Sequence, residues 1–465
     1  MNEIQPKITL KPVEALIITV IILGGISSAI IFAGVVPHIP IVLAIICLLL
    51  YGLIKKVNLK ELEEGLTTGA KSGLGAVFIF FFIGMLISSW MASGTIPTFI
   101  YAALETVDGK FFYAIAFIVS SIIGISVGSS LTTAATIGVA FMSVSNALGL
   151  SDAITAGAVI SGAFFGDKMS PLSDTTSLAS MIVKVDLFDH IKNMAWTTVP
   201  AFVLSSVLFA LLSPSEASPN FAKIVLLKNT LMDQGYVHWY SLLPLIILAY
   251  LAVKKVSAIM TLSASVISAL LISFFVQKDF DITMMMNLLY SGFQSNTGVQ
   301  DVDSLLTRGG MESMMFSISL VLLALSMGGL LVKLGILPAL LEGIKNFINN
   351  IPVLISSTAG TAIGINFLLG EQYLSILLTG NAFQEAYEKA GLHPKNLSRV
   401  LEDAGTVINP LVPWSICGVF LTSVLGVETI QYLPFTFFCL LSPIITVLYG
   451  LTGLKITKKS EKAVA

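Results

Sequence analysis

Apolar runs of about 20 residues recur from one end of the chain to the other, and that is the length a helix needs to cross a bilayer. Hydropathy places spans near residues 14–34, 36–54, 73–93, 190–213, 237–253, 256–276, 313–334 and 433–453. Of the 465 residues 55% are hydrophobic and 11% charged, against roughly 25% charged in an ordinary globular chain. A soluble fold is excluded, and the chain reads as an all-α multi-pass membrane protein in contact with lipid. The run from Glu14 to Gly34 has no small-residue cleavage site and is taken as the first span rather than a leader.

Charge and metal-binding side chains narrow the function. The net charge is -2 and the only arginines are Arg308 and Arg399, so no nucleic-acid surface is visible. Cys47, Cys417 and Cys439 have no CxxC spacing and fit core packing. His38, His190, His238 and His393 are too scattered for a metal site, HExxH is absent, and no Ser/His or Cys/His pairing falls at membrane depth. The chain is therefore read as a transporter rather than an enzyme, with no cofactor.

With the N-terminus placed in the cytoplasm, 18 of the 25 Lys and Arg residues collect on inside segments. Both termini are then cytoplasmic. Two regions, 111–147 and 352–388, have apolar arms meeting at a polar, glycine-containing tip, and each precedes a segment broken by proline, 153–181 and 399–424. The halves align: Gly128, Gly138, Ala140 and Phe141 match Gly370, Gly380, Ala382 and Phe383 at a constant offset of 242. Gly94-Thr-Ile-Pro97 likewise matches Gly335-Ile-Leu-Pro338, and Ser170-Pro-Leu172 matches Asn409-Pro-Leu411. Each half contains three spans, a two-armed hairpin that either is re-entrant or crosses twice and so returns to the same face, a Pro-broken span and a final span. The odd number of crossings makes the two halves inverted-topology repeats, 1–213 and 237–465, joined by an extracytoplasmic connector at 214–236.

Function is expected at the breaks. Pro171 lacks an N–H and frees the carbonyl of Asp167, amid Ser170, Ser173, Asp174, Thr175 and Thr176. Such an oxygen-rich break suits a hard cation such as Na⁺. Asp167 and Asp174 are the carboxylates of that break, with Lys168 as charge partner; charges at membrane depth usually mark pathways. In the second half Pro410 and Pro413 free the carbonyls of Thr406 and Asn409, with Asp403 and Glu402 nearby. The tips add Gly128, Ser129, Ser130, Thr132 and Thr133 on one side and Gly370, Glu371 and Gln372 on the other, with their half-helix ends pointing at the breaks. Asp301 and Asp303 lie in an outside loop and could form a cation vestibule.

The strings SGAFFGDKMSPLSDTTSLAS (161–180), GSSLTTAATIG (128–138) and SGFQSNTG…LLTRGGMESMM resemble the NhaC-type Na⁺/H⁺ antiporters of the ion transporter superfamily. The likeness runs over nearly the whole chain, although Ser177 stands where the family string carries Asn. It implies exchange of Na⁺ for H⁺ across the cytoplasmic membrane, with the two cations competing for Asp167 and Asp174. The same family also contains exchangers coupling malate, lactate and Na⁺ to protons, which is the alternative reading. A homodimer is compatible with either.

Overall fold

The computed structural model describes residues 4–106, 110–214, 221–254, 256–277, 280–345 and 350–459. Among these the fold is helical, and the extended pairings are two isolated bridges, Phe293 with Arg308 and Leu392 with Lys458. Seven of the described helices are long and apolar enough to cross a bilayer, or up to nine if each bent pair is one span. The protein is an all-α, multi-pass membrane protein.

The expected spans form the helices Pro12–Ile31, His38–Ile54, Leu74–Ala92, Leu187–Leu212, Ala258–Val276 and Met315–Lys333. Prolines shift two others. The 237–253 run starts as a 3-10 turn, Trp239–Leu242, and becomes α-helical only over Leu243–Val253, with Pro244 in its first turn where a missing N–H does no harm. Likewise Pro434 holds Leu433–Phe435 in a 3-10 turn, so the last helix, Phe437–Thr452, leaves at 58° to the segment before it.

Leu59–Ser72 is helical although its charges keep it out of a hydropathy scan. Asn58 caps its first turn by accepting the Lys60 N–H at 3.1 Å. Lys60, Glu63 and Glu64 face outward, while Leu62, Gly65 and Gly69 are buried. That buried stripe lies backbone to backbone on Met315–Lys333. A Cβ on Gly69 would sit 2.2 Å from the Leu325 carbonyl oxygen, and one on Gly329 2.1 Å from that of Gly65. Small residues allow this close approach, as they do between membrane helices generally.

The internal repeat is visible as matched local devices. Gly94 and Gly335 take left-handed φ values of 74° and 70°, and each turns a span into a short helix, Thr95–Thr106 or Ile336–Lys345. Each elbow rests on the lead-in to the other half, since a Cβ would lie 2.2 Å from the Tyr236 oxygen at Gly94 and 2.1 Å from the Ile8 oxygen at Gly335. The two-armed regions are Phe112–Val127 with Ser130–Leu148, and Ile351–Leu369 with Gln372–Lys389. Between the arms, Gly128 and Gly370 sit at φ 70° and 66°, a conformation that costs any residue with a Cβ.

Candidate functional site

Each tip is built as a glycine followed by a capping side chain. Ser129 accepts the Thr132 N–H at 3.3 Å, and Glu371 accepts those of Tyr373 and Leu374 at 3.0 and 2.6 Å. A helix start has spare N–H groups, so these side chains end up where they are by satisfying backbone donors. Both tips pack on the broken span of their own half. Gly128 lies against Leu172 and Ser170, and Gly370 against Trp414 and Ser415.

The first broken span consists of Asp152–Met169 and Asp174–Ile182, separated by an extended stretch around Pro171. Ser173 caps the second helix at the Thr176 N–H, 3.4 Å. Here the expectation of a free Asp167 carbonyl is corrected: that oxygen accepts the Ser170 N–H at 3.1 Å, because the chain turns tightly at the break. What remains open is the carboxylate. Asp167 is 5% exposed and accepts the backbone N–H and hydroxyl of Ser130 from the tip, at 3.2 and 2.7 Å. Ser170 donates to the Ile125 carbonyl at 2.7 Å, Thr133 to that of Ser129 at 2.8 Å, and Thr176 to that of Lys168 at 3.1 Å, while Ser173 and Thr175 share a hydrogen bond at 3.0 Å. Tip and break therefore form one hydrogen-bonded unit.

A cavity of about 280 Å³ opens onto this unit. Its lining includes Gly128, Ser129, Thr132, Pro171, Asp174 and Ser177 on one side, with Ser257 and Thr261 from the start of Ala258–Val276 on the other. Asp174 is exposed there at the first position of its helix, whereas Asp167 sits behind it in the dry interior. A cation in the cavity would meet a hydrated carboxylate first and a buried one next, among hydroxyls. Tyr373 of the second tip lies within electrostatic reach of Asp167, Asp174 and Glu371, so the two tips converge on this region.

The second broken span runs Lys395–Leu411 and Ile416–Leu425 with a bend of 47°. Its freed carbonyl at Asn409 is likewise taken, by the Ser415 hydroxyl at 2.5 Å and the Val412 N–H at 3.2 Å. The Asn409 side chain donates to Asn366 at 2.8 Å and accepts the Cys417 N–H at 3.0 Å. Asn366 in turn donates to the Gly405 carbonyl at 2.7 Å. Asn409 thus ties the broken span to the second hairpin.

Lys168 does not pair with its sequence neighbour Asp167. Its ammonium bonds Asp403 of the opposite half, and both side chains are fully buried. Ser442 adds contacts to Lys168 at 3.0 Å and to Asp403 at 2.9 Å, and Thr197 donates to the other Asp403 oxygen at 2.8 Å. Asp403 therefore has its charge balanced and both oxygens filled. Sequence reasoning missed Thr197, Ser442 and Asn366. Asn366 carried a signal, as a lone amide in an apolar arm before a tip glycine, but the two hydroxyls look like any others in a span. Asp303 is a loop staple: it accepts Ser295 Oγ, Thr297 N and Thr297 Oγ1 at 2.8, 2.7 and 2.8 Å, and the Thr297 N–H leads the contacts holding its carboxyl below the usual range. The side chain of Asp301 lies outside the described residues.

Comparison with known proteins identifies the family. Residues 162–454 match the Na⁺/H⁺ antiporter family. The chain is 40% identical over 448 residues to the Na⁺/H⁺ antiporter NhaC of Alkalihalophilus pseudofirmus, covering 95% of this chain and 97% of the relative. It is 40% identical over 431 residues to NhaC of Bacillus subtilis, covering 91% and 94%. The malate-2H⁺/Na⁺-lactate antiporter of Bacillus subtilis is 32% identical over 441 residues, covering 93% and 94%. By the family match and these identities, this chain belongs to the Na⁺/H⁺ antiporter family.

Proposed function

We propose that this protein exchanges Na⁺ for H⁺ across the cytoplasmic membrane, with the termini in the cytoplasm and the cavity at Ser129 and Asp174 open to that side. The observation that carries the reading is the juxtaposition of exposed Asp174 and buried Asp167 with the first tip and the hydroxyls of the first break. Ser129, Ser130, Thr132, Ser173, Asp167 and Asp174 form the cation site, with Ser170, Thr133, Thr175 and Thr176 holding its shape. Glu371 closes the site from the second tip. Na⁺ and a proton compete for the same carboxylates, so binding of one releases the other. Asp403, Thr406 and Asn409 stand apart from that site: Asp403 neutralises Lys168, and Asn409 braces the second hairpin.

The second reading is exchange of an organic carboxylate driven by the same ions, favoured by the 32% identity to the malate-2H⁺/Na⁺-lactate antiporter. An anion would need positive charge at the site, and Lys168 is already committed to Asp403. Proteoliposomes separate the two. Na⁺ alone should collapse an imposed pH gradient. A gradient that holds in Na⁺ and collapses only on addition of malate or lactate establishes the carboxylate exchanger instead.

A further inference from the structure

We propose that Glu402 is a second proton site, distinct from the cation site at the first break, and that it carries H⁺ but not Na⁺. The inference rests on the Na⁺/H⁺ exchange proposed above. Glu402 opens the π-helical turn Glu402–Thr406 of the second broken span and is 0% exposed. The Thr406 hydroxyl on the same turn lies close to its carboxyl, but among the described residues neither group makes a hydrogen bond of ordinary geometry. Native proteins leave few buried polar atoms so, and each one asks for a reason. Single π turns inside helices also concentrate at functional positions.

The neighbouring Asp403 shows what a structural carboxylate looks like here, with Lys168, Ser442 and Thr197 around it. Glu402 has no such set of donors. An ionised carboxylate with so few donors in a buried site is costly, so the group holds its proton as an O–H until a neighbouring charge changes. A proton needs one oxygen, whereas a hard metal cation needs a shell of them. The charged groups whose fields reach Glu402 are Lys168 and Asp167 from the first broken span and Asp403 on its own turn. The Lys168 ammonium adds a repulsion that Na⁺ could not offset with so few ligands. Asp167 supplies the coupling. While the exchanged proton sits on Asp174 and Asp167 is ionised and empty, the negative charge of Asp167 holds the Glu402 proton; when Na⁺ occupies the pair and the Asp174 proton is released, that hold is lost, the Lys168 ammonium is left to stabilise the Glu402 carboxylate, and its proton leaves to water on the face then open. Each Na⁺ bound thus displaces one proton from Asp174 and another from Glu402.

The test uses the full-length protein in proteoliposomes. The H⁺/Na⁺ ratio is read from the pH gradient at which an opposing Na⁺ gradient gives no net flux, and radioactive Na⁺/Na⁺ exchange is measured in parallel. The wild type should show a ratio above one. E402Q should lower that ratio by one proton while keeping Na⁺/Na⁺ exchange within about twofold, because Na⁺ never visits Glu402. A wild-type ratio of one, an unchanged ratio in E402Q, or loss of Na⁺/Na⁺ exchange in a stably inserted E402Q overturns the proposal. Protons released when Na⁺ is added to detergent-solubilised wild-type protein give a check that needs no variant, and one proton or fewer per Na⁺ bound rejects it. Failure of the underlying reading looks different, since exchange would then require malate or lactate in wild type and variant alike.

Discussion

Lys168 and Asp403 form a fully buried ion pair between the two halves, and the consequences of breaking it follow from where each charge is left. K168M strands the Asp403 carboxylate in the interior and should cost roughly 3–5 kcal/mol, read as a lower melting temperature in detergent. The double variant K168M/D403N removes both charges and should recover most of the loss. Recovery of nothing would mean that Lys168 stabilises through its stem and its contact over the Phe438 ring rather than its charge. Asp174 has the opposite character, exposed in the cavity and without an ion pair among the described residues. D174N should insert and fold normally yet lose Na⁺-driven proton movement, and normal exchange by that variant would remove Asp174 from the site. The sequence made Asp174 a competing carboxylate and set Asp403 only near the second break; the fold shows which of the two is balanced and which is available.

At the scale of elements, the tips are held by backbone geometry more than by side-chain chemistry. Gly128 has φ 70°, and a Cβ there would fall 2.6 Å from that of Leu172. G128A should therefore cost at least about 1–2 kcal/mol from the left-handed backbone alone and pull the tip away from the break. Transport would suffer more than insertion. The next residue reports on access: a cysteine at Ser129, placed in a single-cysteine background, should react with a small thiol reagent through the cavity, and Na⁺ should slow it. Labelling indifferent to Na⁺ would show that the cavity is not the cation route. Glycine spacing and the 242-residue offset made these tips legible in the sequence. The capping of Thr132 by Ser129 follows a sequence rule; the grip of Ser130 on Asp167 does not, because it spans 37 residues.

The whole molecule is held by reciprocal contacts between the halves, and its lysine-rich face is closed by a small clasp. Leu392 and Lys458 form a bridge, the Lys459 N–H bonds the Gly391 carbonyl at 2.8 Å, and Asn396 bonds Thr457. His393 sits in that clasp with its N–H on the Thr457 carbonyl at 2.9 Å. Burial first, then the nearby Lys395, hold its imidazole below the ordinary value of 6.5. Its folded form thus prefers the neutral ring. The stability it contributes is present above about pH 6.5 and is lost as pH falls below that value, where the unfolded segment takes up a proton more readily. The protection factor of the Lys459 amide, with the intrinsic pH dependence of exchange divided out, should fall on acidification through this window, and H393Q should flatten the response. An equal fall in H393Q would assign the effect to another group.

Composition and apolar run length were enough to determine an all-helical membrane protein, since lipid offers no partner for unpaired backbone and 11% charge cannot clothe a soluble surface. The repeat, the tip glycines and the prolines at the breaks were also written in the chain, because each is a local backbone requirement. Partner choice was not. Lys168 next to Asp167 reads as a pair until the fold brings Asp403 within reach across 235 residues. The carbonyls that proline frees look vacant in one dimension, and neighbouring turns fill them in three. The helix Leu59–Ser72 escaped notice because its hydrophobic partner is a row of glycines against another helix, and hydropathy cannot register a contact made by having no side chain. Tertiary structure alone decided which buried oxygens are satisfied and which, as at Glu402, are left open. That depends on neighbours distant in sequence, whose approach no local pattern encodes.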